Sequence, residues 1–101
     1  MPKYKVVILE QAISDLVESC HYYNDKVSGL GNEFEDEVFN LLEIIKENPL
    51  IFPIKFSTIH EAVLLSFPFV INYEVNGNQI IVYAVFHSKR NPAKKPKRKR
   101  K

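Results

Sequence analysis

The sequence contains no tryptophan, one cysteine and three glycines among its 101 residues. The single cysteine, Cys20, excludes an internal disulfide and is typical of a protein from a reducing compartment. The three glycines form no glycine-rich phosphate-binding loop. The longest weakly polar stretch, residues 62–73, is broken by Pro68 and is too short to span a bilayer. The first residues also lack the apolar region of a secretory signal, so the expected location is the cytoplasm, without membrane contact.

Charge is distributed unevenly along the chain. Residues 89–101 hold nine of the 14 basic residues and none of the 12 acidic ones, so residues 1–88 have a net charge of −7. A hydrophobic content of 46% is sufficient for one modest core in a chain of this length. A basic segment without apolar residues is expected to be disordered. The sequence therefore predicts one folded domain over residues 1–92 and a disordered basic tail over residues 93–101.

A β-hairpin is predicted near the end of the domain. Two runs rich in Val, Ile, Tyr and Phe, residues 67–75 and 79–86, are separated by Asn76-Gly77-Asn78. Asn-Gly favours a type I′ turn, in which both central residues have positive φ. The second strand leads directly into His87, Ser88, Lys89 and Arg90, so a buried strand delivers a polar, cationic cluster at its end.

The first of two predicted helices begins near Gln11 and ends within residues 24–28. Its apolar residues recur at the i, i+3, i+4, i+7 spacing of one helical stripe, and Asp15 and Glu18 lie off that stripe. The residues of the stripe are Ile13, Leu16, Val17 and Cys20.

The second helix is expected to begin at Gly31-Asn32, with Asn32 as its N-cap and Glu35 completing a capping box. It should end at Asn48-Pro49. Its apolar face consists of Phe34, Val38, Leu41, Leu42 and Ile45.

Residues 4–9 and 57–65 are predicted as further strands, the latter an edge partner of residues 69–75, and residues 50–56 as an irregular connector. The element order is then β-α-α-β-β-β. This order favours the α+β class, with an αα-hairpin packed on a small, mainly antiparallel sheet.

The pattern from Tyr4 to Pro92 resembles the RelE/ParE superfamily of bacterial type II toxins, also described as plasmid-stabilisation-like. The residues that carry the resemblance are Ala12, Asp15, Leu16, Tyr22-Tyr23, Phe34-Glu35, Asn48-Pro49, Phe67-Pro68-Phe69, Tyr73 and the segment VFHSKRNP at 85–92. The resemblance implies growth inhibition by a toxin that a cognate antitoxin protein neutralises. It implies no cofactor.

Two biochemistries occur in the family, and the fold does not choose between them. ParE-like members poison DNA gyrase, whereas RelE-like members are ribosome-dependent mRNA endonucleases. Family nucleases usually carry arginines on the strand before Phe-Pro, and residues 57–65 contain none. Whether this chain is an enzyme is therefore left open by the resemblance.

RNA cleavage by a 2′-hydroxyl requires proton transfer and cations that stabilise the phosphorane. His87, Lys89 and Arg90 are the candidate catalytic residues, and His87 occupies the place where nuclease members carry an imidazole. His60 and Lys55 are weaker candidates that could join them from the neighbouring strand. In the basic tail, Lys94, Lys95, Lys97 and Arg98 are candidate nucleic-acid contacts. No cluster of His, Cys, Asp and Glu has metal-ligand spacing, so no metal site is expected.

Overall fold

The computed structural model describes residues 3–89. Its elements are β1 (Lys5–Ile8), α1 (Glu10–Lys26), α2 (Leu30–Glu47), β2 (Ile54–Phe56), β3 (Ile59–Val63), β4 (Phe69–Asn76) and β5 (Gln79–His87). The strands form one five-stranded sheet in the order β1-β5-β4-β3-β2. Every pairing is antiparallel except that of β1 with β5. The expected α+β fold, two helices on a mainly antiparallel sheet, is confirmed.

The predicted hairpin is present as β4 and β5. Asn76 pairs with Gln79 across the turn. Gly77 has a φ of 62°, and Ser57 is the one described residue other than glycine with positive φ. The turn therefore follows the type II′ pattern, with positive φ at the first central residue alone, rather than the expected type I′. A β-bulge interrupts the pairing further along, because Asn72 pairs with Ala84 whereas Tyr73 pairs with Val82.

The main core lies between the sheet and the two helices. Its sixteen buried residues come from α1, α2, the strands and the loop before β4. Phe34 of α2 is at its centre, with edge-to-face ring contacts to Phe67 at 5.3 Å and Phe69 at 4.8 Å between centroids. The apolar face predicted for the second helix is confirmed, since all five of its residues are buried. The apolar area removed from water here is the principal source of stability.

The stripe predicted for α1 is wrong in its orientation. Ile13 and Val17 are 47% and 52% exposed, whereas Ala12, Asp15 and Leu16 are buried. The helix is turned toward Asp15 because the Asp15 carboxylate accepts a hydrogen bond from the backbone N–H of Val85, at 3.1 Å. This hydrogen bond satisfies both a buried carboxylate and a buried amide, and leaving either without a partner would cost about 1–3 kcal/mol.

The predicted cap of α2 is also wrong. The helix begins one turn earlier than Asn32, after Gly29, which has a φ of 88°. Gly31 lies against α1: a Cβ at this position would clash with the carbonyl oxygen of Cys20. Its N–H donates to Oδ1 of Asn24, at 2.8 Å. An α1 side chain thus satisfies a helix-start donor that the capping box was expected to satisfy.

The segment expected to be an irregular connector contains the edge strand β2. Ile54 pairs with His60 and Phe56 with Ile59, across a turn in which Ser57 has a φ of 52°. The strand predicted at residues 57–65 is shorter, and β2 rather than β3 forms the edge of the sheet. Pro53 argued against a strand in the sequence. A proline just before an edge strand is nevertheless compatible with pairing, because its missing N–H is not needed there. Neither helix within residues 3–89 is long and apolar enough to cross a membrane.

Candidate functional site

The end of β5 is fixed to the start of β4. His87 pairs with Phe69 in the strand register. The next residue, Ser88, donates its N–H to the carbonyl oxygen of Pro68 at 2.8 Å, and its hydroxyl contacts the same oxygen at 3.2 Å. The turn that follows the strand is therefore held at one end of the central strands β4 and β5, and His87 lies at the end of its strand, as the sequence predicts.

The imidazole of His87 has a defined orientation. The backbone N–H of Lys89 donates to Nδ1 of His87, at 3.1 Å. While this hydrogen bond exists, the neutral ring carries its proton on Nε2. The ring meets Phe69 edge to face, with centroids 5.3 Å apart and an interplanar angle of 71°. Phe69 belongs to the main core, so the half-buried imidazole packs against a core ring.

Asp15 connects α1 to this end of β5. Its Oδ2 accepts from the N–H of Val85, two residues before His87, and its Oδ1 accepts from the side-chain amide of Gln11, at 3.0 Å. Sequence reasoning missed the role of Asp15. The available signal was an acidic residue at core spacing, between Ala12 and Leu16 on the buried side of α1.

His60 and Lys55 do not join His87. His60 pairs with Tyr73 and His87 with Phe69, four residues apart along β4, which corresponds to about 13 Å. His60 is buried, its Nδ1 is 2.8 Å from the carbonyl oxygen of Phe52, and its ring stacks on Tyr73 at 4.9 Å. Lys55 is exposed and forms a 3.9 Å ion pair with Glu61. Both residues lie toward the opposite end of the sheet, where they have structural contacts.

The predicted site residues after Lys89 lie outside the described part of the chain. Lys89 is the last described residue and is exposed. Arg90 follows it, and so do the four candidate nucleic-acid contacts, Lys94, Lys95, Lys97 and Arg98. The tail predicted to be disordered, residues 93–101, also lies outside the described residues. Within residues 3–89, no group of three His, Cys, Asp or Glu side chains is placed to hold a metal ion.

Perturbed acid–base groups lie away from His87. Burial raises the pKa of Tyr73 to about 12, and the hydroxyl of this residue donates to the carbonyl oxygen of Pro49 at 2.7 Å. Burial and then the nearby Glu35 carboxylate raise the pKa of the Cys20 thiol. A raised pKa leaves Cys20 protonated at neutral pH and unsuited to nucleophilic chemistry. Neither group is therefore a catalytic candidate.

An apolar groove of about 320 Å³ lies between α2 and the chain that leaves β3. Its apolar lining includes Ile44, Val63 and Leu65, which are 49%, 58% and 96% exposed. Leu65 is fixed in this exposed position because its N–H and that of Ser66 both donate to Oε2 of Glu37, at 2.7 Å and 2.9 Å. A large side chain held in solvent by its own backbone contacts is typical of a protein-binding surface.

The groove and His87 are joined by one loop, residues 64–68. At its start the loop lines the groove through Leu64 and Leu65, and at its end Pro68 accepts the Ser88 hydrogen bonds. Between these points, Phe67 is buried in the main core. A segment seated in the groove would therefore contact the loop that holds the His87 turn.

Residues 3–89 are acidic. They contain six basic and twelve acidic residues, a net charge of −6. Nucleic-acid affinity depends on Lys and Arg contacts with phosphates, so this part of the chain has an unfavourable charge for a polyanion.

No family model matches the sequence, and no curated protein matches it. Ten chains of solved structures match it. One of them belongs to the structure titled "Chromosomal ParDE TA system from P. aeruginosa", with 12% sequence identity and a TM-score of 0.77. The match covers 86% of this chain and 98% of that one. The described domain therefore has the fold expected from the RelE/ParE resemblance, and at this identity the likeness concerns the fold alone.

Proposed function

We propose that this chain is the toxin component of a type II toxin–antitoxin system and that a cognate antitoxin neutralises it. The observation that carries the proposal is the loop at residues 64–68, which joins an exposed apolar groove to the His87 turn. The fold is shared with a chain from a ParDE toxin–antitoxin structure, which supports the same function. An antitoxin segment in the groove would shield the neighbouring ends of β4 and β5, where His87 lies, from a target.

The chemistry of the groove defines the antitoxin segment it would accept. The three most exposed lining residues, Ile44, Val63 and Leu65, are aliphatic. Glu37 is already engaged by the Leu65 and Ser66 amides and offers no free charge to a basic anchor. The groove therefore suits one or two apolar anchor residues on the antitoxin, flanked by polar residues.

The test compares Leu65→Asp with Leu50→Asp, a matched control at a 72% exposed leucine outside the groove. Each variant is co-expressed with the product of the neighbouring open reading frame, and complex formation and growth are measured. Leu65→Asp is expected to weaken the complex at least tenfold and to restore growth inhibition, because it places a charge in an apolar contact. Leu50→Asp should bind normally. An unaltered complex with Leu65→Asp would refute the groove as the antitoxin-binding site. Normal growth of cells that express the wild-type chain without any antitoxin would refute the assignment as a toxin.

For the target, the charge of the described domain supports a protein such as DNA gyrase. A net charge of −6 over residues 3–89 is unfavourable for contact with ribosomal RNA, and the eight basic residues at 90–101 would have to compensate for it. Supercoiling by purified gyrase and protein synthesis in a cell-free extract are the two measurements that separate the targets. Inhibition of supercoiling alone is the expected result, and inhibition of synthesis alone would reverse the assignment.

A second candidate function, ribosome-dependent mRNA cleavage, is favoured by the His87 turn. The turn places an oriented imidazole beside Lys89 at the exposed end of β5, and Arg90 follows in the chain. In this mechanism His87 takes the 2′-hydroxyl proton as the 2′-oxygen attacks the phosphorus, and Lys89 and Arg90 stabilise the phosphorane. The bond from phosphorus to the 5′-oxygen then breaks, the 5′-oxygen takes a proton from water, and a 2′,3′-cyclic phosphate remains. The tail residues (Lys94, Lys95, Lys97 and Arg98) contact phosphates. Because the neutral ring carries its proton on Nε2, Nδ1 is the atom that accepts, and it must release the Lys89 amide to do so.

His87→Ala and His21→Ala form the matched pair for this candidate, since His21 is exposed on α1 and away from the turn. Loss of translation-dependent cleavage in His87→Ala alone, by a factor of about 100 or more, is the expected result for a general acid–base residue. Cleavage that persists in His87→Ala would remove His87 from the mechanism.

A further inference from the structure

The outer edge of β3 is only partly covered by β2. Leu64 donates its backbone N–H to the carbonyl oxygen of Phe69, at 3.0 Å, so the even-numbered residues of this stretch bond toward β4. The odd-numbered residues therefore direct their N–H and C=O groups away from β4, toward the edge. Glu61 follows this rule, because its N–H donates to the carbonyl oxygen of Pro53, at 3.0 Å. Pairing along the edge thus extends from β2 to Pro53.

A short gap in this edge pairing occurs at Val63, two positions beyond Glu61. Within residues 3–89, no hydrogen bond engages the backbone N–H or C=O of Val63. The next donor on this side, the N–H of Leu65, is already bonded to the Glu37 carboxylate at 2.7 Å. The free length of edge is therefore bounded by Pro53 and by Glu37. One residue of an extended chain would fill it by exchanging two hydrogen bonds with Val63.

The apolar groove lies along this gap. Its lining joins Val63 and the three residues that follow it to four residues of α2, among them Ile44. A strand added at Val63 would therefore place its side chains against Ile44 and Leu65 while its backbone completes the edge. Main-chain hydrogen bonds that give affinity, beside apolar contacts that give specificity, are the combination used in recognition by β-strand addition.

The wall of the groove that α2 forms is acidic. This helix contains six acidic residues and one basic residue, a net charge of −5. Glu33 and Asp36 are exposed, and each lies four positions before a lining residue, which is one turn along the helix surface. Lysine or arginine residues beside the apolar anchors of a bound segment would be attracted by these carboxylates, whereas acidic residues would be repelled.

We propose that the groove binds an extended segment of the antitoxin as an added β-strand at Val63, and that lysine or arginine residues flank the apolar anchors of this segment. The identity of the partner rests on the proposed function, whereas strand pairing and charge preference are properties of the groove itself. A helical segment would not complete the edge, because a helix satisfies its backbone groups internally and leaves those of Val63 without partners.

The first test measures, by NMR titration, the affinity of the full chain for the peptide acetyl-Lys-Lys-Val-Ile-Val-Lys-Lys-amide. Val63→Pro removes the N–H at the edge and no hydrogen bond to β4, and an edge position tolerates proline. Val63→Ala is the matched control, since it keeps the N–H and shortens the side chain. Val63→Pro is expected to bind about fivefold more weakly than Val63→Ala. Equal affinities, or no binding of the peptide to the wild type at millimolar concentration, would overturn the proposal.

A modified peptide tests the same pairing on the wild-type chain and does not depend on the folding of Val63→Pro. Methylation of the backbone nitrogens of its three central residues removes every donor that could reach the C=O of Val63. This peptide is expected to bind at least fivefold more weakly than the unmodified one. An unchanged affinity would show that side chains alone determine docking and would overturn strand pairing.

The charge preference is tested with Glu33→Gln/Asp36→Asn. Its control, Glu10→Gln/Asp25→Asn on α1, has the same change in charge and also includes a first-turn glutamate. The lysine peptide is expected to lose about threefold in affinity in the first variant and none in the second. Equal affinities of the two variants would refute the charge preference. None of these measurements uses the antitoxin or growth, so their failure leaves the co-expression test of the toxin function unaffected.

Discussion

The two faces of the sheet are made from the same strands and differ in how completely their polar groups are satisfied. Under the helices, the buried Tyr73 hydroxyl, His60 imidazole and Asp15 carboxylate each have a hydrogen-bond partner. On the other face, which neither helix covers, the side chain of the buried Asn72 has none. A face whose hydrogen bonds are complete contributes stability, whereas a face with unmet donors and acceptors retains capacity for a ligand.

The largest expected effect is a core deletion on the helix side. Phe34→Ala removes a fully buried ring that contacts Tyr23, Phe67 and Phe69, and it should lower the free energy of unfolding by about 3–5 kcal/mol. Urea denaturation is the measurement. Phe39→Ala, at a 43% exposed ring of the same helix, is the control and should cost about 1 kcal/mol or less. Equal losses would mean that the ring contacts of Phe34 add no stability.

Asp15→Ala comes next, because it leaves the buried N–H of Val85 without its acceptor. A loss of about 2–3 kcal/mol is expected, together with faster hydrogen exchange at the Val85 amide. Asp25→Ala, at an exposed position of α1, should leave both quantities nearly unchanged. Normal Val85 exchange in Asp15→Ala would contradict the helix-to-strand connection described above.

A smaller effect separates two tyrosines on opposite faces. Tyr73→Phe loses the hydrogen bond to Pro49 and should cost about 1–1.5 kcal/mol, while Tyr83→Phe, at a half-buried position, should cost about 0.5 kcal/mol. Urea denaturation at neutral pH measures both. A greater loss in Tyr83→Phe would reverse the assignment of stability to the helix side.

Tyr73 also gives the helix side a defined alkaline limit. Its pKa is raised to about 12 in the fold, whereas an unfolded tyrosine ionises near about 10. The stabilising contribution is therefore complete below pH 10 and is lost as the pH rises toward 12, because the unfolded state releases its proton first. Unfolding titrations across this interval should show a shallower decline in Tyr73→Phe than in the wild type. Identical declines would refute the assignment.

The smallest expected effect has the opposite sign. Asn72→Leu removes an amide without hydrogen bonds and should raise the free energy of unfolding by about 0.5–1 kcal/mol. Urea denaturation at neutral pH is the measurement. Asn32→Leu, exposed on α2, is the control and should change little. Destabilisation by Asn72→Leu would show that the amide has a partner within the domain.

Local patterns predicted the features that depend on neighbouring residues. The β4–β5 hairpin, the two helices and the apolar face of α2 follow from spacing and from the turn at Gly77. The position of His87 at the end of β5 follows from the same hairpin. The two strands of this hairpin are consecutive in the sequence, so their pairing can be predicted without long-range information. This part of the candidate site could therefore be predicted.

Contacts between distant residues explain what was missed. The buried face of α1 depends on Asp15 reaching Val85, 70 positions away in the sequence. The separation of His60 from His87 depends on the direction of β3 beside β4, which no local pattern shows. The edge strand β2 is three residues long, too short for a period to emerge. Tertiary hydrogen bonding decided each of these features.

The parallel pairing of β1 with β5 has a consequence for synthesis on the ribosome. The first strand of the domain finds its neighbour only after the last strand has been made, and β5 also fills the place between β1 and β4. A nascent chain that ends before Gln79 has neither a continuous sheet nor the turn that orients His87. Such non-local closure delays folding until translation of the domain is complete. The His87 turn, which we assign to target binding, is thus assembled last. The growing polypeptide therefore cannot present this turn to the ribosome that is synthesising it.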